Sequence, residues 1–450
     1  MAKYQAYAEY KDSGVEWLGV VPSHWIITTL KRYCYVKGGF AFSSDAFIDT
    51  GYPVIRIGDI KTDGSINLEN CKYIPESLAV NSRDYLVEKN QLLMAMTGAT
   101  IGKAGLYTSN QPAFLNQRVG KFELLAQNMN YRYLWYILKT DGYQEYIKLT
   151  AFGGAQPNIS DTAMVDYPAT IPSFDEQTQI ANFLDHETSK IDHLIEKQQK
   201  LIELLKEKRQ AVISHAVTKG LDPNVPMKDS GVEWLGEVPE HWKIIKGGYI
   251  GTLFGSESIQ EDDVTDQGSL PFIKVSSLSA ETFKLSNIDW FVSERRAKFC
   301  KAEKNYIVFP KRGAAIFTNK VNVIEVDSVI DPNLMGWKIG KQGITEYFAL
   351  LLKTRGLDDI ADVSTVPQIN NKHIAPEKFP LPTLSEQCEI VKFVGMELTK
   401  FDEMILKAES AIQLMQERRT ALISAAVTGK IDVRNWQAPT LAEAHTELNA

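Results

Sequence analysis

The chain has 450 residues, 44% hydrophobic and 23% charged, with a formal net charge of -7. That profile suits a soluble protein of two to four packed domains and excludes a low-complexity or wholly disordered chain. The start lacks the apolar core of a signal peptide and no run nears the ~18 apolar residues of a membrane span, so a cytoplasmic protein with no membrane partner is expected.

In chain order, the first signal is the stretch KDSGVEWLGVVPSHW at Lys11–Trp25, which returns as KDSGVEWLGEVPEHW at Lys228–Trp242 with 13 of 15 positions identical. Chance does not produce that match, so the chain reads as two tandem halves. The repeated tryptophans Trp17, Trp25, Trp234 and Trp242 are expected to join each domain to the base of its long helix rather than serve as stacking platforms. Cys34, Cys71, Cys300 and Cys388 form no CxxC pair, which gives no disulfide framework or zinc spacing and suits a reducing cytosol.

After the first copy, the runs Pro53–Ile57 and Gln91–Met96 read as short strands bounded by glycine and asparagine, and Tyr131–Lys139 reads as a helix. This predicts an α+β domain. A proline-containing segment, Tyr167–Ile171 with Pro172, then leads into a long amphipathic helix, Glu176–Val217. Steps of four and three residues from Ile180 land on Leu184, Glu187, Ile191, Leu194, Gln198, Leu201, Leu205, Lys208 and Val212, the period of a coiled coil. The second half repeats the skeleton. Pro271–Val275 and Tyr306–Phe309 answer the strands, Thr345–Thr354 the short helix, and Phe379–Leu381 with Pro382 the lead-in. A second helix, Glu386–Val427, carries its seam on Ile390, Val394, Glu397, Phe401, Met404, Ala408, Ala411, Met415, Arg418 and Leu422. Neither helix can bury such a stripe alone, and at about 1.5 Å per residue each spans roughly 60 Å, so each is the obvious partner of the other.

No motif for chemistry emerges. GATIGKAG at Gly98–Gly105 has three residues between its glycines where a Walker A loop has four, and Ala104 follows Lys103 where Ser or Thr is required. The Asn or Asp, two prolines and aromatic of an amino-methylating enzyme are missing. Asp222-Pro223-Asn224 and Asp331-Pro332-Asn333 lack the second proline and read as turns. Gly153-Gly154 fits no dinucleotide fingerprint, and the histidines form no metal cluster.

What remains are polar and basic loop residues of the kind that touch nucleic acid. In the first half these are Arg56, Lys61, Thr97, Lys103, Asn116, Gln117, Arg118, Gln156 and Asn158. In the second they are Lys274, Ser276, Lys311, Arg312, Asn319, Lys320, Gln368, Asn370 and Lys372. Arg and Lys suit guanine edges and phosphates, and Asn and Gln pair bidentately with adenine. The acidic net charge does not exclude DNA. The segments before each helix are close to neutral, and binding surfaces are local.

The whole chain up to Val433 resembles the DNA-specificity subunit of type I restriction-modification systems. The resemblance is carried by the KDSGVEWLG…P.HW stretch, Gly38-Gly39, Phe114-Leu115-Asn116-Gln117, Gln156-Pro157-Asn158-Ile159, Glu176-Gln177 and Glu386-Gln387 at the helix starts, and Arg418–Ser424 through Thr428–Asp432. Val366-Pro367-Gln368-Ile369 departs from the first-half wording. The resemblance implies target-recognition domains over 1–170 and 221–380, spacer helices over 171–220 and 381–432 paired as an antiparallel coiled coil, and a C-terminal tail over 433–450. It implies a pseudo-twofold arrangement in which each domain reads half of a split, asymmetric duplex DNA site. The partners implied are two methyltransferase subunits that use S-adenosylmethionine to methylate adenine, and ATP- and Mg-dependent restriction translocase-nuclease subunits. No cofactor and no catalytic residue fall on this chain. Arg209, Arg418 and Arg419 are the positions expected at partner subunits, and a four-residue insertion near Gln198 is expected to change the gap between half-sites or abolish assembly. Two rival readings remain. A coiled-coil adaptor explains the helices but not the divergent domains, and a self-sufficient DNA methyltransferase lacks its catalytic tetrapeptide.

Overall fold

The computed structural model describes residues 4–125, 128–154, 156–256, 259–362 and 366–438. Every side chain of the strand Leu92–Ala95 is buried, because the strand lies between two cores. Leu92 and Met94 join the core shared with the helices, while Leu93 and Ala95 join the core shared with a second sheet. Alternate side chains leave a strand on opposite faces, so a strand covered on both sides reads as a continuous apolar run.

Its sheet runs in the order Cys34–Gly38, Val119–Leu124, Leu92–Ala95, Ala104–Leu106, antiparallel throughout. The facing sheet runs Lys72–Ile74, Tyr52–Ile55, Ala113–Leu115, Leu86–Val87, with its middle pair parallel. The helix Tyr131–Leu138, capped by the Asn130 side chain, closes the helical side.

The second half is built the same way. Gly251–Gly255, Leu334–Ile339, Tyr306–Pro310 and Asn322–Ile324 form the antiparallel sheet. Val264–Thr265, Phe291–Val292, Leu270–Ile273 and Val329–Ile330 form the other, its last pair parallel. Thr345–Arg355 is the packed helix. The α+β architecture is therefore present twice. The strand expected over Pro53–Ile57 stops at Ile55, because Ile57–Asp59 folds into a 3-10 turn.

The long helices span Phe174–Lys219 and Leu384–Val427. Ser173 and Thr383 begin them, each hydroxyl accepting from the backbone N–H three residues on at 3.3 Å, as N-cap residues do. Gly220 and Gly429 end them at positive φ, 79° and 72°, where a side chain is disfavoured.

Packing divides the chain into two compact units, Met1–Gln198 with Ser410–Ala450, and Gln199–Glu409. Domain, helix, domain, helix is the chain order, whereas compactness follows helix pairing. In the first unit Arg419 donates to both Asp192 oxygens at 2.8 and 3.2 Å, and the Val427 carbonyl accepts from Thr170 Oγ1 at 2.9 Å. In the second, Arg209 pairs with Asp402 at 3.1 Å and Tyr347 donates to the Val217 carbonyl at 2.9 Å. Within each unit the start of one helix thus lies beside the end of the other, which is antiparallel pairing. After the second helix, Val433 is buried and Trp436 packs edge-on to Phe183 at 5.5 Å, so the first residues of the expected tail belong to the first unit's core.

The seam needs one correction. Leu194, Leu201, Lys208, Met404 and Arg418, counted as inward positions, are exposed. The following residues, Ile195, Ile202, Arg209, Ile405 and Arg419, are half-buried instead. Both phases share Ile191, Gln198 and Leu205, or Phe401, Ala408 and Met415. Apolar residues occupy both neighbouring candidates at Leu194-Ile195, Leu201-Ile202 and Met404-Ile405, so spacing alone could not choose between them. The same one-residue shift occurs in both helices.

The repeated motif and the helix starts together make a socket. Trp25 is fully buried and donates its indole N–H to Glu176 Oε1 at 3.0 Å, Tyr7 donates to the same oxygen at 2.6 Å, and His24 Nε2 lies 3.1 Å from Oε2. Trp242 donates to Glu386 Oε1 at 3.0 Å, with His241 Nε2 at 2.7 Å. Lys11 and Lys228 hold the tryptophan carbonyls at 2.6 and 2.7 Å. Gln177 and Gln387, both fully buried, accept a backbone N–H from Asn130 and Ile344, and donate to the carbonyls of Asn128 and Pro172, and of Gln342 and Pro382. Trp25 and Trp242 therefore join domain to helix, as expected. Trp17 instead stacks on Tyr167 at 5.8 Å while remaining half-exposed.

The second socket predicts an acid response. Burial raises the Glu386 carboxyl, but hydrogen bonds from Trp242, His241 and Thr383 outweigh it and hold the group at about 2. The unfolded group titrates near 4.3, so the folded state loses this contribution as the pH falls from roughly 4.3 through about 2. A Glu386→Gln variant is expected to unfold in urea with a flatter pH dependence across that window. Parallel wild-type and variant profiles count against the assignment.

Candidate nucleic-acid interface

Three segments meet in each domain. In the first, the Met96 N–H donates to the Arg118 carbonyl at 3.0 Å, Ile159 N–H to the Met96 carbonyl at 3.1 Å, and Gly98 N–H to the Pro157 carbonyl at 2.8 Å. In the second, Lys311 N–H donates to the Asn333 carbonyl at 2.8 Å, Ile369 N–H to the Lys311 carbonyl at 2.8 Å, and Gly313 N–H to the Pro367 carbonyl at 2.9 Å. These patterns coincide. Thr97 corresponds to Arg312, Arg118 to Asn333 and Asn158 to Gln368, the last two residues each closing a bridge with Thr97 or Arg312.

The first domain brings Thr97, Gln117, Arg118 and Asn158 into one cleft of about 460 Å³, with Ser160, Asp161 and Thr162 on its wall. Gln117 and Arg118 are exposed, whereas Thr97 is 3% exposed and its buried hydroxyl has no hydrogen-bond partner among the described residues. Burial raises the Asp161 carboxyl, and a hydrogen bond from the Gly38 backbone opposes that in part. Asn116 is half-buried in the turn, its N–H on the Ile55 carbonyl. Gln156 is exposed in the neighbouring loop, whose ends Phe152 and Asn158 exchange backbone hydrogen bonds. Arg56, Lys61 and Lys103 lie outside the cleft. Arg56 donates to the Asn70 carbonyl at 3.2 Å, and Lys61 to the Gly58 carbonyl at 2.9 Å.

In the second domain Lys311, Arg312, Gln368 and Asn370 share the corresponding place, Asn370 at the start of the short helix Asn371–Ile374 that also carries Lys372. Lys274 occupies the Arg56 position before a 3-10 turn that contains Ser276, and its ammonium lies 3.9 Å over the Trp290 ring. Asn319 takes a left-handed conformation and donates to the Lys353 carbonyl at 2.8 Å, and Lys320 reaches the Val275 carbonyl at 3.4 Å. On the helices, Arg209 and Arg419 hold the ion pairs across the helix pair, and Arg418 is exposed.

The sequence shows Asp331 and Asn333 only as part of a turn, not as site residues. Their turn corresponds to Asn116–Arg118, since Asp331 N–H donates to the Ile273 carbonyl at 2.9 Å as Asn116 N–H does to Ile55 at 3.0 Å. A signal is present in the sequence: Val329–Leu334 answers Phe114–Val119 position by position. Among the described residues no group of three or more His, Cys, Asp or Glu side chains is placed to hold a metal ion, and no helix is long and apolar enough to cross a membrane.

Comparison with known proteins points the same way. The sequence profile of the type I restriction modification DNA specificity domain matches residues 22–205 and 239–414. The EcoBI specificity subunit of Escherichia coli, a type I restriction enzyme component, is 24% identical over 96% of this chain and 91% of its own length. The MjaIX specificity subunit of Methanocaldococcus jannaschii is 23% identical over 96% and 99%. Among solved structures, a chain from a study of complex assembly in the type I R-M system superposes with a TM-score of 0.68 over 91% of this chain and 99% of that one, at 13% identity. The HsdS subunit of Thermoanaerobacter tengcongensis gives 0.54 over 91% and 98%, also at 13% identity. With both halves matched by one profile and the same fold present in each, the chain belongs to the type I restriction modification DNA specificity domain family.

Proposed function

We propose that this chain is the DNA-addressing, non-catalytic subunit of a cytoplasmic type I restriction-modification complex. It recognises a bipartite, asymmetric site in duplex DNA, and two methyltransferase subunits use S-adenosylmethionine to methylate adenine there. Restriction translocase-nuclease subunits, with ATP and Mg, complete the assembly. The observation that carries this reading is the double use of one frame. Both domains are seated by the same Trp–Glu and Gln contacts, yet Arg118 and Asn158 in one stand where Asn333 and Gln368 stand in the other, and an exposed Arg312 replaces the buried Thr97. Different side chains on matched backbones suit two different half-sites.

The helices supply the spacer between half-sites, and their outward apolar residues supply docking positions. Leu194 and Leu414 in the first unit, and Leu201, Leu204 and Leu406 in the second, are exposed. With Arg418 they suit a partner subunit better than water.

The test is a methylation-sensitive sequencing map of cells that contain the methyltransferase partner, with and without this chain. A split, asymmetric adenine-methylated motif is expected only with the chain present. Identical maps sink the reading.

A further inference from the structure

The turn Asp331-Pro332-Asn333 occupies, in the second domain, the place that Asn116-Gln117-Arg118 occupies in the first. Pro332 and Asn333 are exposed. The turn is held from inside. Asp331 Oδ1 accepts the Asn333 N–H at 2.7 Å and the Asn333 side-chain nitrogen at 2.8 Å. A carboxylate accepts only, so it fixes which end of the amide is nitrogen and which way the group faces. Among the described residues, one N–H and the Oδ1 of Asn333 are left over. Together they form an adjacent donor and acceptor, the pattern that matches N7 and the 6-amino group of adenine.

The neighbours fit a reading site rather than an ordinary surface turn. The Asn333 carbonyl is bonded to the Lys311 N–H, the Lys311 carbonyl to the Ile369 N–H, and Arg312 and Gln368 face each other across a bridge. Arg312 and Gln368 are also exposed. Two carboxamides and a guanidinium thus stand on adjacent backbones that are tied to one another, so their spacing is set before any DNA arrives. Between the two domains the cation has changed places, from the turn (Arg118) to the strand end (Arg312), while the backbone bonds have not changed. Constant scaffold and exchanged side chains are expected of residues whose chemistry is the information.

We infer that Asn333 reads an adenine in the half-site of the second domain, oriented by Asp331 and flanked by Arg312 and Gln368. The inference rests on the function proposed above.

The experiment uses the full chain assembled with its methyltransferase partner, and scores methylation across a DNA library varied at every position of the site. Asn333→Ala removes the amide but leaves the backbone carbonyl that holds Lys311. It is expected to lower discrimination for adenine at one position by roughly 5- to 150-fold and to leave the other half-site unchanged. Arg118→Ala, run in parallel, should relax the opposite half-site, which assigns the halves to the domains. Asn333→Ser, which keeps a turn-forming side chain, should relax the same position as Asn333→Ala. Discrimination unchanged at every position, a change confined to the half altered by Arg118→Ala, or a uniform loss of methylation without altered preference overturns the inference. A wild-type complex without any split motif overturns the proposed function instead, so the two failures are told apart.

Discussion

Replacing Trp242 by alanine is expected to destabilise the second unit by about 3–5 kcal/mol, the range for truncating a large buried aromatic. The side chain is 1% exposed, and Gly220 approaches it so closely that a Cβ there would lie 3.3 Å from the ring. Two costs add. The cavity left under the helix end cannot collapse without moving Gly220, and Glu386 loses the indole donor that helps to satisfy its carboxylate. Trp25→Ala should act alike on the first unit, where Glu176 is 6% exposed and depends on the same kind of donor. Trp17→Ala, at a side chain 52% exposed, should cost much less. Urea unfolding of the three variants provides the comparison, and equal losses for Trp17 and Trp25 would contradict the socket.

The largest functional effect is expected from lengthening the helices. Four residues added after Gln198 extend a helix by about 6 Å and rotate its downstream half by about 40°. DNA advances by 3.4 Å and turns by roughly 35° per base pair. The half-sites should therefore move apart by one or two base pairs, and the smaller increase keeps the facing of each domain nearly constant. Register decides whether the complex survives. Asp192 and Arg209 lie as far apart on the first helix as Asp402 and Arg419 do on the second, and these residues form the two cross-helix ion pairs. An insertion in the first helix alone forces one pair out of register. Matched insertions after Gln198 and before Gln413 keep both. The matched variant should methylate a motif with unchanged half-sites and a longer gap, whereas the single insertion should do so weakly or fail to assemble. An altered half-site with an unaltered gap would rule out the spacer role.

The particular residues explain how much of the fold is legible in advance. Leu92–Ala95 and Tyr306–Pro310 announce themselves as strands because burial on both faces leaves no polar residue inside them. The helix pair is visible because a repeating apolar stripe of that length has few ways to be covered. Its phase is not, since Leu194-Ile195 and Leu201-Ile202 offer equally apolar neighbours and only the packing selects between them. Thr97 shows a different limit. Its polarity and glycine-rich turn suggest an exposed hydroxyl, but the bridge to Asn158 turns the residue into the domain. Asp331 and Asn333 read only as a turn because an Asp-Pro-Asn string makes the same turn whether or not anything binds it. Their placement depends on backbone bonds from residues far along the chain, which no local pattern encodes.

The two sockets bear on how such a chain changes over generations. Each domain is attached through a handful of identical contacts, the tryptophan and glutamate, the lysine on the tryptophan carbonyl, and the buried glutamine. The near-identical stretch at Lys11–Trp25 and Lys228–Trp242 supplies half of that attachment in both places. A gene segment for one recognition domain can therefore be exchanged by recombination at these borders and still find its seat. Under the function proposed above, each domain can then drift toward a new sequence preference without losing its seat, and the repertoire of addresses would grow as a product of the two sets of domains rather than as their sum.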